Sequence, residues 1–144
     1  MTAYDELYVD CIMKTQGFLF LKVRDELPGV DEKWFIENYM KSDIRKLLDE
    51  ANPKYSAMSS YDLIYYYNQF VLKGEYKKGG EWWGFLPQWA GMAYSLYQWK
   101  YNVPSAELIE IFTLSDMERV YPALHQMGWD AAIDRMHEII DSDR

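Results

Sequence analysis

Few side chains in this sequence are spaced for chemistry, and most of them gather near its end. Arg119 and His125 enclose the five residues Val120, Tyr121, Pro122, Ala123 and Leu124, placing a permanent cation near an imidazole, the side chain most used as a general acid or base. Their ordinary roles are a salt bridge and a helix-end histidine, where an imidazolium meets the negative end of the helix dipole. On the last predicted helix Asp130, Asp134, His137 and Asp141 follow at steps of four, three and four, so they line one stripe of donors suited to a divalent cation. Trp129, Ala132, Ile133, Met136 and Ile140 form the apolar stripe of the same helix, which makes the acidic stripe a solvated face. No metal site and no cofactor are therefore assigned. Pairs such as Glu107 with Glu110 fall on predicted exposed faces, where nothing would shift their pKa usefully. The sequence contains no nucleophile elbow, phosphate-binding glycine loop or dinucleotide fingerprint.

The spacing from Arg119 to His125 resembles the Arg-to-His motif of the HEPN family of helical ribonucleases. The resemblance implies a pair, usually shared across a dimer, that activates the ribose 2′-hydroxyl and stabilises the phosphate. It covers two residues, and Pro122 interrupts the helix on which the motif would ride. Catalysis by Arg119 and His125 therefore stands as an alternative to a non-catalytic reading.

The largest compositional feature is the stretch holding Trp82, Trp83, Trp89, Tyr94, Tyr97 and Trp99. Burial on several faces of a central helix accounts for most of it. One face cannot hold all of these rings, so Trp82, Trp83, Trp89 and Trp99 are the candidate partner-binding residues. Adjacent Trp82 and Trp83 cannot both point into one core, and one of them is expected at the surface. Gly84, Ala90, Gly91 and Ala93 would let a neighbouring helix or a partner approach closely. Tyr61, Tyr65, Tyr66 and Tyr67 form a second cluster that cannot share one face at about 100° per residue. The lone Cys11 lies with Tyr4, Leu7, Tyr8 and Thr15 on an apparent apolar stripe and is expected to be structural.

The elements that would carry these residues are helical throughout. Thr2 is placed to cap a first helix running to about Gln16, with Phe18 to Val23 extending it or forming a short strand before Pro28-Gly29. Asp31 caps the next helix and Ser42 or Asp43 begins the one after, with Trp34, Phe35, Tyr39, Met40, Ile44, Leu47 and Leu48 inward. Ser59 caps another that turns Leu63, Ile64, Tyr67, Phe70 and Val71 inward and closes at Gly74. The segment 73–80 has the composition of a flexible, locally basic linker between two half-subdomains, 1–72 and 81–144, of one domain. Pro87 suits a first turn, so the aromatic helix is predicted from Leu86 to Tyr101. Shorter helices follow from Ser105, from a capping box of Ser115 with Glu118, and after Gly128. The predicted fold class is all-α, a compact bundle of seven or eight short helices around a central aromatic one.

Composition bounds the rest. A chain of 144 residues with 49% apolar and 17% aromatic residues can bury enough surface to offset its ordering entropy as one domain. One cysteine allows no internal disulfide. The acidic N-terminal residues and the lack of an apolar run long enough to span a bilayer lead to the expectation of a cytoplasmic protein. A net charge of −8 opposes attraction to phosphate backbones and anionic lipid, so neither direct nucleic-acid binding nor membrane binding is expected.

Two segments carry a further likeness. Tyr39 to Ile44 with Asn52-Pro53-Lys54-Tyr55, and Trp82-Trp83-Gly84-Phe85 with Gln98-Trp99-Lys100-Tyr101, Ser105 to Leu108 and Leu124-His125, resemble small uncharacterised all-helical proteins of Gram-positive bacteria. Such proteins are often encoded near toxin-antitoxin or phage-defence genes. The resemblance implies that association; together with the acidic charge, the aromatic surplus and the missing catalytic constellation it leads to the expectation of a non-catalytic interaction module, an antitoxin-like neutraliser or inhibitor, whose partner is another protein such as a toxin or defence enzyme. A homodimer is a further arrangement open to it. An acidic phage inhibitor that mimics nucleic acid is another alternative.

Overall fold

The computed structural model describes residues 1–143. Among them the chain is 71% helical and has no strands, which makes the fold all-α. In chain order the α-helices are α1 (Val9–Glu26), α2 (Glu32–Met40), α3 (Asp43–Leu48), α4 (Pro53–Ser56), α5 (Ser60–Tyr67), α6 (Leu86–Tyr101), α7 (Ser105–Ile111), α8 (Leu114–Leu124) and α9 (Trp129–Ser142).

Side-chain caps set most of the starts. Asp31 accepts from Trp34 N, Ser42 from Arg45 N and Ser59 from Asp62 N, each satisfying a first-turn N–H that has no helical partner. Three local expectations need correction. Thr2 caps no helix, because Asp5 caps a single 3-10 turn, Glu6–Tyr8, that leads into α1. The capping box of α8 is Thr113 with Asp116, which leaves Ser115 inside the helix. Phe70 and Val71 are exposed rather than inward, because α5 widens into a π-helical turn, Asn68–Leu72, that shifts the residues after Tyr67 off the buried face.

The centre of the molecule is the crossing of α1 and α6. The buried side of α1 carries Ile12, Met13, Gln16, Gly17, Leu19, Phe20 and Val23, while α6 is buried on most of its circumference. Gly17 and Gly91 meet at the crossing. A β-carbon on Gly91 would sit 2.8 Å from Gln16 O and 3.0 Å from Gly17 Cα, so only glycine lets the two backbones come this close. Gln16 Nε2 donates to Gly91 O at 2.7 Å across the same contact.

The two halves of the chain interleave: α1 packs most extensively on α6, and α2 and α3 both touch α7. A continuous apolar core runs from Met13 through Phe35, Tyr39 and Tyr94 to Met136 and Ile140. The segment 73–80 does not hang free as a flexible linker would. Asp31 N donates to Lys77 O at 2.9 Å, Gly79 N to Gly29 O at 3.0 Å and Tyr76 Oη to Pro28 O at 3.0 Å, pinning it along the turn between α1 and α2. No helix among the described residues is long and apolar enough to cross a membrane.

Candidate functional site

The four candidate tryptophans have separate fates. Trp82 belongs to the core at 2% exposure. Its backbone N–H donates to Glu32 Oε1 at 3.2 Å and its indole N–H to Glu118 Oε1 at 2.7 Å. Trp82 is thus a clamp that fixes the approach to α6, and on the free chain it is unavailable as a contact residue. Glu32 beneath it is fully buried and paired with Arg24 at 2.9 Å; burial raises its pKa, with the Trp82 N–H and Arg24 opposing the rise. Glu118 also holds Lys33 at 2.6 Å, and that bond lowers its pKa.

Trp99 is half-buried and works inside the molecule as well. Its indole N–H donates to Tyr4 O at 2.7 Å and its carbonyl accepts from Ala3 N at 2.9 Å, which docks the N-terminal segment. Trp83, by contrast, is 59% exposed, so the neighbouring pair splits into one core and one surface ring. Trp89 is half-buried and lies in a row of rings: it stacks on Trp129 at 5.6 Å and meets the edge of Tyr121, which stacks on His125 at 4.4 Å.

That row forms one end of an apolar groove. A hollow of about 200 Å³ is lined by Phe85, Gln88, Trp89, Met92, Tyr121 and His125. A second hollow of about 630 Å³ is lined by Phe18, Tyr61, Lys14, Ser59 and others, and again by Gln88 and Met92. The two hollows adjoin at these α6 residues, the larger between α6, α1 and α5 and the smaller between α6 and α8, and together make up the groove over α6. Phe85 stands at its rim with 69% of its surface exposed. Phe18 meets Tyr61 edge-on at 5.7 Å at the far end, with Lys22 Nζ 5.4 Å from the Phe18 ring. Gln88, Trp89 and Met92 stand half-buried along α6 beside the glycine crossing, where a β-carbon on Gly17 would meet Met92 Cγ at 2.5 Å.

Arg119 and His125 do not converge within the chain. Six positions apart on one helix, their side chains leave the axis about 120° apart. Arg119 pairs with Asp116 at 2.9 Å, and His125 forms the C-cap of α8 with Nδ1 2.6 Å from Tyr121 O. Helix α8 continues past Pro122 to Leu124. His125 instead contributes to the groove rim.

The stripe on α9 is engaged with α6. Asp134 accepts from Lys100 Nζ at 2.7 Å and Tyr101 Oη at 2.8 Å, and the Lys100 bond lowers its pKa. His137 stacks on Tyr101 at 3.9 Å, with Nδ1 2.9 Å from Tyr97 Oη and Nε2 3.1 Å from Asp141. Among the described residues no group of three or more His, Cys, Asp or Glu side chains is arranged to hold a metal ion.

Cys11 is exposed, against the expectation of a buried structural thiol. The buried stripe of α1 starts at Ile12 and Met13, about 100° round the axis from Cys11. Cys11 lines an open cleft of about 430 Å³ with Tyr4, Tyr8, Glu50 and Pro53.

Sequence reasoning missed a buried polar centre. Arg45 is fully buried, and Asp49 behind it accepts from Ser105 N at 2.9 Å and from Ser105 Oγ. Burial raises the pKa of Asp49, opposed by Arg45 and then by the Ser105 hydrogen bonds. The one available signal was the four-residue step from Arg45 to Asp49, which pairs the two on one helix face.

No protein-family model, no curated protein and no solved structure matches the chain.

Proposed function

We propose that this chain is a non-catalytic protein-interaction module whose partner seats an apolar segment in the groove over α6. The observation that carries this reading is the pair of hollows that adjoin at Gln88 and Met92, with Phe85 exposed on the rim and the Trp129–Trp89–Tyr121–His125 row at one end. An aromatic-lined groove between packed helices suits an amphipathic helix, whose apolar side chains recur at three- and four-residue steps. The net charge of −8 favours a basic protein as the partner through long-range attraction. A neutraliser or inhibitor, antitoxin-like in a bacterial conflict system, needs such a face and no catalytic groups, and that is the role we assign. The separation of Arg119 from His125 gives the ribonuclease alternative no comparable support.

The test places a photo-crosslinking residue at Gln88 and, as a control, at Asp141 in cells that express the protein. A protein captured from Gln88 and not from Asp141 is then purified for a binary binding assay. Phe85→Ser and Met92→Glu are each expected to weaken that complex at least tenfold, about 1.4 kcal/mol, while Asp141→Asn leaves it unchanged. Equal affinity of all the folded variants, or no capture specific to Gln88, removes the proposal. Co-expression that rescues cells from the captured protein's toxicity would identify the neutralising role.

A further inference from the structure

The core holds a polar centre that the groove does not use. Arg45 Nε donates to Ser105 Oγ at 3.0 Å and one terminal nitrogen, Nη2, donates to Gln98 Oε1 at 3.2 Å. Gln98 Nε2 continues the network to Asp49 O at 3.1 Å. The other terminal nitrogen, Nη1, has no partner in the protein, and neither has Oε1 of Gln16. Both side chains are buried, Arg45 at 0% and Gln16 at 2% exposure. Both line one narrow cavity, together with Thr15, Tyr39, Tyr55 and Ser56, in which the centre of a water-sized sphere has about 10 Å³ to move.

The chemistry of the cavity is specific. Gln16 Nε2 is held by Gly91 O at 2.7 Å, so the amide orientation is fixed and Oε1 is the atom left over. Arg45 Nη1 and Gln16 Oε1 are thus a charged donor and a neutral acceptor on residues that line the cavity, each removed from bulk water without a replacement in the chain. One water molecule requires roughly 10–15 Å³ on this measure, and two or more polar partners. An anion fits the same space poorly, because Asp49 already balances the Arg45 charge at 3.5 Å and Gln16 presents an oxygen.

We propose that a single internal water molecule is bound here, accepting from Arg45 Nη1 and donating to Gln16 Oε1. It closes a polar network that ties α1, α3, α6 and the start of α7 together inside the apolar core. The full chain, crystallised and refined at atomic resolution, is expected to show one peak at about 2.7–3.2 Å from both atoms, with no anomalous signal there after a bromide soak. Oxygen-17 relaxation dispersion in solution is expected to detect a long-lived water whose contribution is lost in Gln16→Met. A cavity closed by a direct protein hydrogen bond to Arg45 Nη1, a site without a peak, or bromide scattering at the site would each overturn the proposal. Should Gln16→Met fail to fold, the crystal of the natural sequence decides alone.

Discussion

Adding one methyl group at Gly91 tests the packing on which the groove depends. The new β-carbon would lie 2.8 Å from Gln16 O, 2.9 Å from Phe20 Cδ2 and 3.0 Å from Gly17 Cα. Carbon atoms in contact prefer about 3.5–4.0 Å, so α1 and α6 must part by roughly 0.5–1 Å. Two of the three neighbours are backbone atoms and cannot rotate away. Overpacking of this kind costs about 1–3 kcal/mol. Parting the helices also stretches the 2.7 Å bond from Gln16 to Gly91 O, worth about 1 kcal/mol. Against these stands the better helix propensity of alanine, a gain of about 1 kcal/mol in mid-helix. The balance is a loss of about 2 kcal/mol, which for a chain of this size lowers the melting temperature by ~4–8 °C. Gly80→Ala is the control: no atom lies within 4 Å of its new methyl group, and its stability should stay within about 0.5 kcal/mol of the natural protein. Thermal denaturation followed by far-UV circular dichroism measures both. A Gly91→Ala protein melting at or above the natural one would refute the close crossing, because propensity alone would then be acting. Gly17→Ala should destabilise in the same sense, and the double variant should lose less than the sum of the two, since helices already parted accept the second methyl more readily.

Three further outcomes follow from the same structure. Asp49→Ala leaves Arg45 buried without its counter-charge and should cost about 3–5 kcal/mol in urea denaturation; a loss below about 1 kcal/mol would show that Arg45 reaches water. Glu32 has a raised folded-state pKa, so the stability linked to its titration is present at acid pH and is lost as pH rises through that folded value. The melting temperature of the natural protein relative to Glu32→Gln should therefore rise from pH 7 toward pH 4, and a flat or inverted difference would contradict the assignment. Cys11 should react with a thiol reagent in the native state at the rate of an exposed thiol, whereas labelling only after denaturant is added would restore the buried reading.

Local chemistry made much of the architecture legible in the sequence. Asp31, Ser42 and Ser59 start helices because their side chains reach N–H groups within the next three residues, and Leu86 to Tyr101 is bounded by a first-turn proline and by a left-handed Asn102. The adjacency of Trp82 and Trp83 required one ring inside and one outside, since neighbouring helical or extended positions cannot share a direction. Which ring went inside was decided by Glu32 and Glu118, which lie far from them in the chain and offer acceptors to Trp82 alone. The segment 73–80 has linker composition, yet it is held by the turn between α1 and α2 through bonds that no local pattern encodes. Arg45 sits in a short amphipathic helix as an ordinary polar residue until α6 and α7 bring Gln98 and Ser105 over it. Periodicity sets the faces each helix can offer, because it depends only on residues a turn apart. Which face is covered, and whether α6 leaves a groove there, depends on where Gly17 and Gly91 let two distant helices cross, and only the tertiary structure decides that.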